Sequence, residues 1–380
     1  MSIFTVTEQK ALAIGPKIPA ALSILGSSAL CYLIIRDLIK DRGSSMSSSR
    51  LSAACPITKA ISSHLILGMG LSNLFASSAC FFTTWPIPRD LATQSSFASG
   101  TQQTCSTQGF FIQLGSMTAA MYNTALALFY FLIINKNFIG SQLAKVEPFL
   151  HMNAILWGLG TSIACLALTL FNDTGWSCWI RASPLDCKES WTLGDGSTTT
   201  CHRGDNATIY KIALYYGPIW AVIIIVSFLM FSVYIKIRNQ DRRMNQFGNG
   251  TNRSNLKNAK KFARQATLFV GVFYVTWLFP TIYNLVLLFG GPIYFSLLLL
   301  NALSLPVQGF LNFIVFINPR HLRYKKKHPD ITFFPQSWLY MLWEELLGES
   351  DSGSGTDSSA PVASEPKISE PLHSLKPVEP

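Results

Sequence analysis

Cysteines carry the only covalent chemistry that the spacing of reactive residues suggests. Cys105, Cys178, Cys187 and Cys201 fall in or beside one set of polar connections, whereas Cys31, Cys55, Cys80 and Cys165 lie within apolar stretches or beyond their other ends. Thiols grouped in one set of loops are placed to form disulfides in an oxidising compartment. The other four read as small apolar packing residues. Four cysteines allow three pairings, and spacing does not choose among them. Joining Cys105 to Cys178 would staple two distant segments, and Cys187 to Cys201 would close a short loop.

Acid–base chemistry is sparse. His64 and His151 are the only histidines near the apolar stretches, with no metal-ligand spacing between them. No clustered catalytic set accompanies them, so the expectation is no enzyme, no metal and no cofactor. What remains is conformational chemistry. Pro306, Gln308, Gly309 and Asn312 interrupt the uncharged stretch Pro292–Ile317, and Pro280 follows Trp277 in an earlier one. Proline removes a backbone hydrogen bond and bends a helix, while amides in an apolar setting seek partners on neighbouring helices.

The elements that must position these residues are membrane helices. Half the composition is hydrophobic (49%), only 13% is charged, and the mean hydropathy is positive, as in polytopic membrane proteins. Seven apolar spans are predicted, at about 14–35, 61–82, 110–134, 151–171, 212–235, 266–289 and 292–317. Each approaches the ~20 residues that cross a ~30 Å hydrocarbon core, and none holds an Asp or Glu. The expected fold is therefore an all-α seven-transmembrane bundle.

Loop charges orient it. Most of the 30 basic residues lie between spans one and two, three and four, and five and six, or after span seven. Basic loops stay cytoplasmic, which puts residues 1–13 outside as a short lead and the carboxyl end inside. The net charge of +10 is thus topological and calls for no nucleic acid. Residues 318–348 form a basic juxtamembrane segment, with 333–347 a candidate amphipathic helix, and 349–380 are a Ser/Pro/Glu-rich tail expected to be disordered. Asn206-Ala-Thr208 is a glycosylation sequon in an outer loop; Asn172-Asp-Thr174 matches too but lies close to the membrane.

Cys178-Trp179-Ile180, Trp157-Gly158 and Gln308-Gly309-Phe310-Leu311-Asn312 resemble the cyclic-AMP-receptor-like (class E) G-protein-coupled receptors, distant relatives of the secretin and adhesion receptors. The pattern departs from the rhodopsin-like class. Span three ends Asn135-Lys136 with no Asp-Arg-Tyr, and Trp277 stands three places before Pro280 rather than two.

The resemblance implies a plasma-membrane receptor that binds an extracellular ligand among the outer helix ends and catalyses exchange on a heterotrimeric G protein. Trp179, Arg181 and Lys211 are then the ligand candidates, the two cations suiting an anion such as a cyclic nucleotide. The loop's acidic residues outnumber its basic ones, however, which describes no anion funnel. Trp277, Pro280, Pro306, Gln308, Gly309 and Asn312 become the conformational switch. Lys136, Arg238, Arg242, Arg243, Lys260, Lys261 and Arg264 become the G-protein contacts. The alternative is a seven-helix transporter or scaffold. Spans free of carboxylates argue against a transporter, and a last span without lysine argues against a retinal protein.

Overall fold

The computed structural model describes residues 4–45, 54–91, 95–184, 187, 201–247, 250–328 and 340–341. The tail, most of segment 333–347 and the side chain of Lys261 lie outside them. Residues 6–14 are helical rather than a plain lead: α1 (Val6–Ile14) starts at a capping box in which Thr5 and Glu8 satisfy each other's backbone N–H groups. After a turn at Gly15-Pro16 the chain continues into α2 (Lys17–Ser45), the two making one apolar span. There follow α3 (Ala54–Phe81), α4 (Gln102–Lys136) and α5 (Gly140–Ala167). An antiparallel hairpin, β1 (Phe171–Asp173) with β2 (Cys178–Ile180), leads to α6 (Ala207–Lys211). A π-helical turn (Ile212–Tyr216) runs straight into α7 (Gly217–Phe247), followed by α8 (Gly250–Leu288), α9 (Phe295–Ser304) and α10 (Gln308–Lys327).

Among the described residues, six helical stretches are long and apolar enough to cross a membrane, and α9 with α10 makes a seventh bent by 43°. The bend expected at Pro306 within 292–317 is a full break between two helices. Pro306 has no N–H to give and crowds the preceding turn, so α9 ends at Ser304 and α10 restarts at Gln308. The carbonyl that Pro306 presents accepts from Ser77 Oγ (3.3 Å), which also donates to Ser23 Oγ (2.7 Å). A broken helix at membrane depth persists only when neighbours satisfy it in this way. Several helices also outrun their apolar spans, since charged residues propagate a helix into water.

The axis of the bundle is α4. In its most apolar window 72% is buried, against 22% for the stretch containing α7. Small residues make this possible. A Cβ at Gly115 would lie 2.5 Å from the Ser72 carbonyl oxygen and 2.6 Å from Ala76 N, so glycine lets α3 and α4 touch backbone to backbone. Outward-facing Phe149, Leu156, Ile163, Ile224, Phe228 and Phe231 leave an apolar circumference that suits lipid and not water.

Gly115→Val should force α3 and α4 apart and cost about 1–3 kcal/mol. By contrast, Gly271→Ala, whose added Cβ meets nothing within 4 Å, should gain about 0.5–1 kcal/mol through helix propensity. Thermal unfolding in detergent would separate the two, with the melting point falling for the first and holding or rising for the second.

Candidate functional site

One end of the bundle is organised by two disulfides, Cys105–Cys178 and Cys187–Cys201. The first fastens β2 onto the opening turns of α4, and Cys178 N donates to Gln108 Oε1 (2.9 Å) beside it. Gln108 Nε2 in turn donates to the carbonyls of Ala79 (3.0 Å) and Thr83 (2.8 Å). Strand, α3 and α4 thus share one amide. The register of the hairpin then dictates where the next residues go.

Trp179 points into the bundle, its indole N–H donating to Gln113 Oε1 (3.0 Å). Gln113 Nε2 donates to Leu214 O (3.3 Å), inside the π-helical turn. A π turn inserts one extra residue into the helical register. Here it buries two consecutive tyrosines. Tyr215 donates to Ser116 Oγ (3.0 Å), and Tyr216 bonds Asn284, whose Nδ2 also donates to Pro280 O (2.9 Å). Ring contacts continue the chain: Trp179 to Tyr215 at 4.6 Å, Tyr215 to Trp277 at 5.4 Å, and Trp277 to Phe273 at 5.9 Å between centroids.

Above these aromatics lies a cavity of about 70 Å³ whose wall includes Trp176, Trp179, Arg181, Lys211, Tyr215 and Tyr283. A second chamber of about 210 Å³ adjoins it and shares Arg181, Lys211, Tyr216, Asn284 and Leu287. Both candidate cations thus reach both chambers, and Trp179 lines the inner one. Burial pushes the Asp173 carboxyl above its ordinary range, against the N–H of Gly175 (2.7 Å), the hydroxyl of Ser95 (2.9 Å) and the charge of Arg181. Burial likewise lowers Arg181, with Tyr283 and Asp173 opposing it. A guanidinium remains charged under such a shift.

The helix-seven residues occupy a different level. Gln308 (5% exposed) and Asn312 (1%) are buried one turn apart. A Cβ at Gly309 would lie 2.3 Å from Ser27 Oγ and 2.4 Å from Ser23 Oγ, so glycine brings α10 against α2. Among the described residues, Gln308 Nε2, both polar atoms of Asn312 and Ser27 Oγ have no hydrogen-bond partner. Trp277 and Pro280 sit on α8, tied to the cavity through Tyr215 and Asn284 rather than to Gln308. The six residues grouped as a switch therefore form two clusters.

At the opposite end, Lys136 closes α4, while Arg238, Arg242, Arg243, Lys260 and Arg264 are exposed on α7 and α8. Lys260 donates to Asp241 Oδ1 (2.7 Å) across those two helices. Nearby, the fold joins groups that the sequence leaves apart. His64 Nδ1 lies 2.7 Å from Glu147 Oε1, His151 Nε2 3.8 Å from the same oxygen, and Tyr122 OH 2.9 Å from His151 Nδ1. Among the described residues, no group of three or more His, Cys, Asp or Glu could hold a metal ion. Asn206 stands at the start of α6. Asn172 is buried, and its amide is committed to Arg181 O (2.7 Å), Thr169 O (3.2 Å) and Arg203 Nε (3.0 Å), so it offers no glycan site.

Sequence reasoning missed Gln108, Gln113, Tyr215, Tyr216 and Tyr283. Gln113→Leu removes the acceptor of a buried indole N–H and the donor to Leu214 O. The loss should be about 1–3 kcal/mol of stability, with a shifted tryptophan emission maximum as the local signature.

No family model matches the chain, and no curated protein matches it. Among solved structures it is similar to the crystal structure of squid rhodopsin, with a TM-score of 0.57 over 93% of this chain and 94% of that one, at 12% sequence identity. At that identity the likeness is one of fold. The chain has a seven-transmembrane-helix fold like that of squid rhodopsin.

Proposed function

We propose that the protein is a G-protein-coupled receptor of the plasma membrane, with the disulfide end and amino terminus outside and the basic end inside. The observation that carries this reading is that Tyr215 is at once part of the cavity wall and a ring neighbour of Trp277. A ligand that displaces Tyr215 therefore bears on α8 with nothing in between. Pro280, three residues along, supplies the bend about which the basic end of α8 moves. A heterotrimeric G protein then meets Lys136, Arg238, Arg242, Arg243, Lys260, Lys261 and Arg264.

The ligand is small and largely apolar, with one acidic group against Arg181 and Lys211. Selection is local, because the loops above carry no net positive field to draw anions in. Membership of the class E group rests on the short motifs at Cys178 and Gln308, and glycosylation on the sequon at Asn206.

Guanine-nucleotide exchange on a purified heterotrimeric G protein, measured with the receptor and a panel of small organic acids, tests the reading. A stimulating ligand should lose effect about fivefold or more on Trp277→Ala, within the usual range of coupling between sites, and lose affinity on Arg181→Ala. Absence of exchange for every acid, together with solute flux into vesicles, would establish a transporter instead.

A further inference from the structure

We propose that the groove between the disulfide-end turns of α4 and α5 is a phospholipid site. The groove measures about 540 Å³ and is separate from the cavities above the aromatic chain, although Arg203 on its rim is held by Asn172 of the same hairpin. Its composition is graded. Gln103, Ser106, Thr107 and Arg203 form a polar rim, and Phe110 and Leu166 form an apolar floor. Phe110 opens the apolar run of α4. Leu166 is 46% exposed and Ile163, a turn below, 56%, so the floor continues onto the lipid-facing side of α5. A polar rim over a floor that runs out into hydrocarbon matches a glycerophospholipid: headgroup above, acyl chain below. A wholly water-soluble ligand would leave the floor unused.

The rim is set for a phosphodiester. Arg203 is pinned twice: its backbone pairs with Ser183 (3.0 and 3.2 Å), and its Nε donates to Asn172 Oδ1 (3.0 Å). Asn172 is neutral and fully engaged, so it aims the guanidinium without cancelling its charge, leaving the terminal nitrogens for a phosphate. Gln102 Nε2 donates to Phe171 O (3.0 Å) and to Ser106 Oγ (3.4 Å), an arrangement that leaves the Ser106 hydroxyl hydrogen to donate into the groove. Among the described residues, no carboxylate lines the groove. One cation with neutral donors matches the single negative charge of a phosphodiester, and an arginine fork fits phosphate oxygens in pairs. The inference needs the membrane fold but neither the receptor reading nor its orientation, since phospholipids face both surfaces of a bilayer.

Native mass spectrometry of the delipidated full-length protein in detergent, with added dioleoylphosphatidylglycerol, tests it. The protein should retain one lipid, and Arg203→Ala should weaken retention about tenfold, the scale of one charge-assisted hydrogen bond. Arg203→Lys should restore part of it, and Leu166→Trp, which fills the floor, should also weaken it. Dioleoylglycerol, with the same chains and no phosphate, and glycerol phosphate, with no chains, should each bind far less. Should Arg203→Ala fail to fold, the double variant Gln103→Leu with Ser106→Ala carries the same expectation. Equal retention by wild type and these variants, or equal binding of dioleoylglycerol or of glycerol phosphate, would overturn the proposal.

Discussion

The covalent bond from Cys105 to Cys178 holds a two-stranded hairpin over one mouth of the bundle, and every feature at that mouth takes its position from it. Closing a separation of 73 residues removes on the order of 4 kcal/mol of conformational freedom from the unfolded chain in the loop-entropy account. Its local consequence matters more. With Cys178 fixed, strand alternation aims Trp179 inward to Gln113, and its cross-strand partner Asn172 holds Arg203. Cavity and lateral groove are thus two outputs of one anchored register.

Below that mouth the chain solves a problem set by the bilayer, where buried polar groups find no water. Gln108, Gln113, Ser116 and Asn284 each serve as shared partners for groups on two elements. Around Gly309 the solution is incomplete, since Asn312, Gln308 and Ser27 keep polar atoms that none of the described residues satisfies. Such atoms cost about 1–3 kcal/mol each when left unpaired. The break in the seventh span therefore sits beside a cluster of unpaired amide and hydroxyl atoms.

Much of the architecture was legible before any coordinates. An uncharged run of twenty residues in a chain with basic loops has few physical readings, and seven such runs fixed the fold class. The bend at Pro306 was visible as chemistry but not as a full break, because whether a proline kinks or ends a helix depends on what satisfies the backbone groups left at the break. Here Ser77, on another helix, donates to one of them, the Pro306 carbonyl. Trp179, Arg181 and Lys211 were found because they flank the cysteines. Tyr215 and Tyr216 were not, since two adjacent aromatics in a helix ordinarily face different ways, and only the π turn buries both. The His64–Glu147–His151 contact was equally hidden: it joins residues 83 apart through the crossing of α3 with α5.

The π turn has one more mechanical implication. Each residue in a regular helix advances the side chains by about 100°, so the extra residue within Ile212–Tyr216 leaves α7 rotated out of phase with α6. Moving that insertion along the chain by one position would swing a tyrosine off its ring neighbours while the shaft of α7 stayed still. A slipping joint of this kind allows the rim to re-sort its aromatic contacts without dragging the helix that carries Arg238, Arg242 and Arg243.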